Sequence, residues 1–288
     1  MSRARRWFAC SLWVVGAAVL GACSTPVVRS AADVRAQGYN TQGMDRFKAA
    51  DLPRALVFFQ QALEVGQSIE DDDAIAATRL NLSMVYLGMG LQDEALKQLD
   101  LVMDERRLAF SADRRAEAAL RRALAVQASD RESAEQSLER ADVLCGSRCS
   151  VRGKILNLKA YMALGAGRAE EALRLAQQAH GALDKKDSPE LANALRLQSA
   201  AYIAMKTPAA AVPPLHEALK MDKAAGASEK IYQDLLLLGQ ASMDKPELAR
   251  DYWARAHDVA VAAKNEAGSR RTAQLLAADD LRQANSSK

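Results

Sequence analysis

The 288-residue sequence predicts an all-α solenoid of about six helical hairpins closed by a C-terminal capping helix. Three observations predict it. Alanine and leucine make up about a third of the chain and aromatics 5%, so strong helix formers abound while strand-favouring residues are few. Six alanines, Ala55, Ala95, Ala134, Ala172, Ala211 and Ala249, recur at steps of 40, 39, 38, 39 and 38 residues. The positions four and seven residues after each alanine are almost all apolar, and that spacing places all three on one face of a helix. The period therefore belongs to a repeating helical unit.

The chain begins with a basic start, Ser2-Arg3-Ala4-Arg5-Arg6, and an apolar run from Trp7 to Leu20. Fourteen helical residues rise about 21 Å, short of the roughly 30 Å hydrocarbon core of a bilayer, so the run reads as a signal-peptide core. The segment Leu20-Gly21-Ala22-Cys23 resembles the lipobox of bacterial lipoproteins. That resemblance implies cleavage after residue 22 and acylation of Cys23, and two or more acyl chains make a stable anchor. Ser24 follows Cys23, and by the same resemblance it implies delivery to the outer membrane, facing the periplasm. Residues 23–34 are then a lipidated tether. Without Arg3, Arg5 and Arg6 the chain holds 36 basic and 36 acidic residues, and no basic patch calls for nucleic acid. Cys10 leaves with the leader. The remaining pair, Cys145 and Cys149, is expected to form a disulfide clip on a turn in an oxidising periplasm. Three intervening residues and the lack of a βαβ pattern disfavour a thioredoxin-like redox role, and missing further ligands disfavour zinc.

The repeats are expected over residues 35–266. Four residues after each anchor come Phe59, Leu99, Leu138, Ala176, Leu215 and Trp253; seven after come Ala62, Val102, Ala141, Ala179, Ala218 and Ala256. Twelve residues before each stand Gly43, Ser83, Arg122, Ala160, Ser199 and Leu237, mostly small, as close contact between two helix backbones requires. Helix starts are expected at Asp51, Ser188 and Thr207, each just ahead of a proline, and at a Ser129–Glu132 capping box. The run Glu70-Asp71-Asp72-Asp73 opens a helix where negative charge meets the positive dipole end; it lacks the glycine turn of a calcium loop. A capping helix from about Ser269 to Arg282, within a terminal unit of residues 267–288, covers the last apolar face, and the final four residues are expected to fray.

The fragments Asn81–Met103 and Leu156–Ala179 resemble tetratricopeptide repeats, with Tyr86, Gly90, Ala95 and Leu99 in the family positions. The family period is shorter, and the proline that usually ends each repeat is missing. The resemblance implies a right-handed solenoid whose first helices line a concave groove that takes a peptide. The groove would carry Asn40, Met44, Asn81, Met84, Asn157, Tyr161 and Arg196, with Asn pairing to a peptide backbone, Met adapting to apolar anchors and Arg taking a carboxylate. Of the positions that form a carboxylate clamp in some relatives (here Asn40, Met44, Asn81, Ala116 and Leu120), Asn81 alone matches.

No catalytic constellation is found. His180, His216 and His257 fall in separate segments, Ser242-Met-Asp-Lys245 lacks the companion motifs of penicillin-binding enzymes, and Gly153-Lys154 lacks an upstream glycine. The expectation is a non-catalytic scaffold without cofactor or metal, binding a protein or peptide partner in the cell envelope. Pilotin-like help to a pilus secretin, scaffolding of outer-membrane assembly and regulation of peptidoglycan enzymes are not separated by the sequence. A small-ligand receptor is the alternative from another class.

Overall fold

The computed structural model describes residues 30–286 apart from 148, 185 and 187. The leader and Cys23 lie outside the described residues. Thirteen α-helices and no strands are found among the described residues. They pair in chain order as α1 (Ala31–Lys48) with α2 (Leu52–Ser68), α3 (Asp72–Gly88) with α4 (Gln92–Asp104), and α5 (Ala112–Val126) with α6 (Arg131–Cys145). Next come α7 (Arg152–Gly165) with α8 (Ala169–Ala182), α9 (Ser188–Ala204) with α10 (Pro208–Ala224), and α11 (Ser228–Ala241) with α12 (Pro246–Ala262); α13 (Glu266–Ser286) closes the array against α12.

The periodic triplets form the core. Every anchor alanine is at most 1% exposed, and the positions four and seven residues later are at most 3% exposed. The small sites explain why. A Cβ on Gly43 would stand 2.7 Å from the Phe59 ring, so the glycine is the hole into which that ring packs. The Ser199 hydroxyl lies 3.0 Å from the Ala211 carbonyl, which brings α9 and α10 into backbone contact. The sixth hairpin departs from the register. Gly239, not Leu237, is its small residue, and a Cβ there would stand 2.2 Å from Trp253 Nε1. In the third hairpin Arg122 bonds the Ser137 hydroxyl of the crossing helix α6 at 3.0 Å and extends to Asp100 of α4 at 3.0 Å.

Helix ends follow local polar chemistry, with several starts displaced from expectation. Helix α1 begins at Ala31, inside the expected tether, because Ser30 and Asp33 form a capping box. Asp51 caps α2, and Asp71 caps α3. The cap of α6 is Asp130, which accepts from Ser133 N at 2.9 Å, while the Ser129 hydroxyl donates back to the Val126 carbonyl. Helix α9 already includes Ser188, and the Thr207 hydroxyl donates to the Tyr202 carbonyl rather than capping α10. Asn265 accepts from Gly268 N at 2.8 Å and starts α13 three residues earlier than expected. The three aspartates of the acidic run are all engaged: besides the Asp71 cap, Asp72 accepts from Ala109 N at 2.8 Å and Asp73 holds Arg114 by two bonds.

Gly239 and Gly38 test whether packing or propensity governs these helices. Alanine is favoured over glycine in a helix by about 1 kcal/mol. Gly38→Ala, with no atom within 4 Å of the new Cβ, should raise the thermal midpoint. Gly239→Ala should instead cost about 1–3 kcal/mol through overpacking on Trp253. Thermal unfolding by circular dichroism reads both, and equal gains would show that the Trp253 contact is not limiting.

Candidate functional site: the inner groove

Odd-numbered helices neighbour one another directly, α1 with α3, α3 with α5, α7 with α9 and α9 with α11, whereas the even helices are spread on the outside. The odd helices therefore line the inner face. Helices α5 and α7 break this pattern by standing apart, and a cavity of about 290 Å³ opens between them. Its lining includes Leu124 from α5 and Gln127 just past its end, Lys154, Asn157 and Tyr161 from α7, and Glu190 and Asn193 from α9. It runs into a second cavity of about 590 Å³ over α7, α9, α11 and α13, which reaches Lys230, Gln233, Gln240 and Arg271. Gln127, Tyr161, Asn193, Leu197 and Lys230 line both, so the two are lobes of one groove.

Its surface is mixed. Tyr161 is 59% exposed and Leu124 46% exposed, so two large apolar side chains face the groove uncovered. Beneath them Asn157 is buried, its Nδ2 donating to the Glu190 carbonyl at 3.0 Å and carboxylate at 3.1 Å. The Asn157 Oδ1 and Gln127 Oε1 oxygens are both buried without a hydrogen-bond partner.

The structure places the other expected groove residues elsewhere. Arg196 borders the larger lobe but is 6% exposed, because its guanidinium pairs with Asp222 of α10 and, at 2.7 Å, with Asp234 of α11. It is unavailable to a ligand carboxylate. Asn40 donates to Thr78 Oγ1 at 3.0 Å and accepts from Asn81 Nδ2 at 3.2 Å, so these asparagines join α1 to α3. Met44 is half-buried against Phe59, Leu82 and Val85. Met84 is half-buried on α3, and neither methionine lines the groove described above. The sequence reading missed Gln127, Asn193, Lys230, Gln233 and Arg271; most lie on odd helices, which was the available signal.

Outside the groove, Cys145 and Cys149 are joined by a disulfide at the end of α6. Gly153 packs on Leu183, whose side chain would stand 2.3 Å from a Cβ. His216 meets Tyr252 at 3.3 Å, and His257 meets Thr272 at 3.0 Å. Among the described residues no group of three or more His, Cys, Asp or Glu could hold a metal ion.

Residues 34–104, from within α1 to the end of α4, match the family model of the tetratricopeptide repeat. No curated protein matches the chain. In fold it is similar to the crystal structure of the APC/C hetero-tetramer Cut9-Hcn1, at TM-score 0.65 and 16% identity, over 85% of this chain and 42% of that one. It is also similar to a signal transduction ATPase with a tetratricopeptide repeat sensor from Pyrococcus horikoshii, at TM-score 0.60 and 17% identity, over 83% and 37%. A third similar structure is a Rap protein complexed with Competence and Sporulation Factor, at TM-score 0.50 and 14% identity, over 89% and 78%. The fold is thus a tetratricopeptide-like solenoid.

The Arg196 cluster gives the solenoid a pH dependence. Burial pushes the Asp234 carboxyl from 3.8 up to about 7; Arg196 opposes this and Asp222 adds to it. Below about pH 4 both folded and unfolded chains hold the proton. Between about 4 and about 7 the folded chain keeps a proton that the unfolded chain has lost, so stability falls as pH rises and levels off above about 7. Arg114 hydrogen-bonds Asp73 and holds its carboxyl below the usual range; Asp142, although burial raises it, is also held low, by Lys159 and Arg152. Their stabilisation is lost only in more acidic solution, through the lowered values. Between about pH 5.5 and 8 the wild type should lose on the order of 2 kcal/mol, and Asp234→Asn should abolish that loss. Denaturant titrations at the two pH values check it; an unaltered slope in the variant would assign the dependence to other groups.

Proposed function

We propose that the chain is a non-catalytic scaffold that holds a segment of a partner protein in the groove between α5 and α11. The observation that carries this reading is the groove itself. It presents uncovered Tyr161 and Leu124 beside amide side chains, on a face where the helices are fixed by close packing. Apolar side chains exposed in a concave site flanked by adaptable hydrogen-bonding groups suit binding of another chain. The similarly folded Rap protein was crystallised with a bound factor, which is in keeping with this use of the fold.

The lipobox-like segment ending at Cys23 supports the further reading that the scaffold is lipid-anchored at the periplasmic face of the outer membrane, where it supports assembly of an envelope complex. Among the described residues no helix is long and apolar enough to cross a membrane. Assistance to a pilus secretin, to outer-membrane assembly or to peptidoglycan enzymes would each use the same groove.

Two measurements test the two halves. A photo-cross-linking amino acid at Tyr161 should yield a discrete protein adduct in cells, while one at exposed Lys97 on α4 should not. A folded, lipidated protein that gives no adduct from Tyr161 would remove the scaffold reading and direct attention to small ligands. Cys23→Ser should shift the protein from the membrane to the soluble fraction; retention in membranes would remove the anchor.

A further inference from the structure

The groove has a charge imbalance that the rest of the chain lacks. Its lining includes five cations, Arg131, Lys154, Arg196, Lys230 and Arg271, against one carboxylate, Glu190. Arg196 is consumed by Asp222 and Asp234, Arg131 pairs with Glu135 at 3.1 Å, and Glu190 accepts from Asn157. No carboxylate among the described residues forms an ion pair with Lys154, Lys230 or Arg271; the Lys230 amine reaches Gln233 Oε1 at 3.5 Å. Like charges gathered in a cleft with low-dielectric walls focus the field on whatever enters.

The second observation is independent of charge. A buried acceptor without a donor costs about 1–3 kcal/mol, and two such acceptors, Gln127 Oε1 just past the end of α5 and Asn157 Oδ1 on α7, belong to residues that line the smaller lobe. Both require N–H or O–H donors, and because both oxygens are sealed from solvent a donor in the groove meets them when the two amides turn outward. The backbone of an extended segment offers free N–H groups along its length, whereas a helix has already used all but its first four.

We propose that the occupant of the groove is an extended acidic segment of a partner protein, its backbone N–H groups bonded to the Gln127 and Asn157 amides as these turn out toward it, and its carboxylates paired with Lys154, Lys230 and Arg271. Tyr161 and Leu124 cover apolar side chains between the acidic ones. This rests on the scaffold reading and names the chemistry of what the scaffold holds.

Fluorescence anisotropy with labelled twelve-residue peptides tests it. One peptide carries three copies of Ser-Glu-Leu-Gly, a second replaces each Glu by Gln, and a third by Lys. The glutamate peptide should bind about tenfold tighter than the glutamine peptide, the lysine peptide should not bind, and added salt should narrow the difference. Lys230→Gln with Arg271→Gln, both exposed, should erase the glutamate preference while leaving the circular dichroism spectrum intact. Gln127→Met, which keeps the side-chain length but removes the acceptor, should weaken the glutamate and glutamine peptides alike. Equal binding of those two peptides, an unaffected double variant, no binding of any peptide, or equal binding of a single-stranded oligonucleotide would each overturn the proposal. The Tyr161 cross-link is read separately. An adduct there whose cross-linked segment is neutral or basic would leave the scaffold standing and remove the acidic segment.

Discussion

The solenoid depends on one contact repeated six times, the crossing at which an alanine of the second helix of each hairpin is sealed against the first. An alanine cannot supply much apolar area, so the stability of each crossing comes from what its small size permits. The helix backbones approach closely enough for the residues four and seven positions later to be buried as well. Where one of those residues is large, the opposing helix supplies a hole: Gly43 for Phe59 and Gly239 for Trp253. Where no hole exists, as at Arg122, a long side chain bonds Ser137 of the crossing helix and extends past it to Asp100 of α4.

The groove is the consequence of a departure from that regularity. At the junction of α6 and α7 the chain runs through the disulfide-bonded turn of Cys145 and Cys149, with Gly146 at φ 57°. Polar ties hold this junction: Asp142 receives Arg152 and Lys159, and Asp113 accepts from Ser150 N at 3.0 Å. Helices α5 and α7, which flank this hairpin end, stand apart, and the space between them is what the lining residues of the smaller lobe enclose. A perfectly regular stack would close this gap. The irregular junction thus coincides with the wider interval between α5 and α7.

The alternation of buried positions was legible in the sequence because it depends on spacing along one helix at a time. Eighteen positions chosen by the period, from Ala55 to Ala256, lie in the core. The site was legible only in part, for a physical reason. A period tells which face of a helix a residue occupies and not which side chain from another helix meets it there. Tyr161 and Asn157 fall in the groove, but Asn40 and Asn81, on the equivalent helices, find each other 41 residues apart in sequence. Arg196 looked available because nothing near it in sequence neutralises it; its partners come from positions 26 and 38 residues away. The disulfide-bonded turn could be seen, but not that it would part α5 from α7.

The buried Arg196 cluster bears on the geometry of the groove. Apolar packing of similar volume would often hold helices together as well as a buried ion pair does. A guanidinium that must meet one carboxylate on α10 and another on α11 is more demanding, because its planar donors satisfy both only in one relative placement of the three helices. Helices α9 and α11 supply two walls of the larger lobe. Any sliding of one against the other would separate Arg196 from a carboxylate in a medium where that separation is costly. The arginine at the edge of the groove thus fixes the distance between its walls, and its charge is spent on the two aspartates.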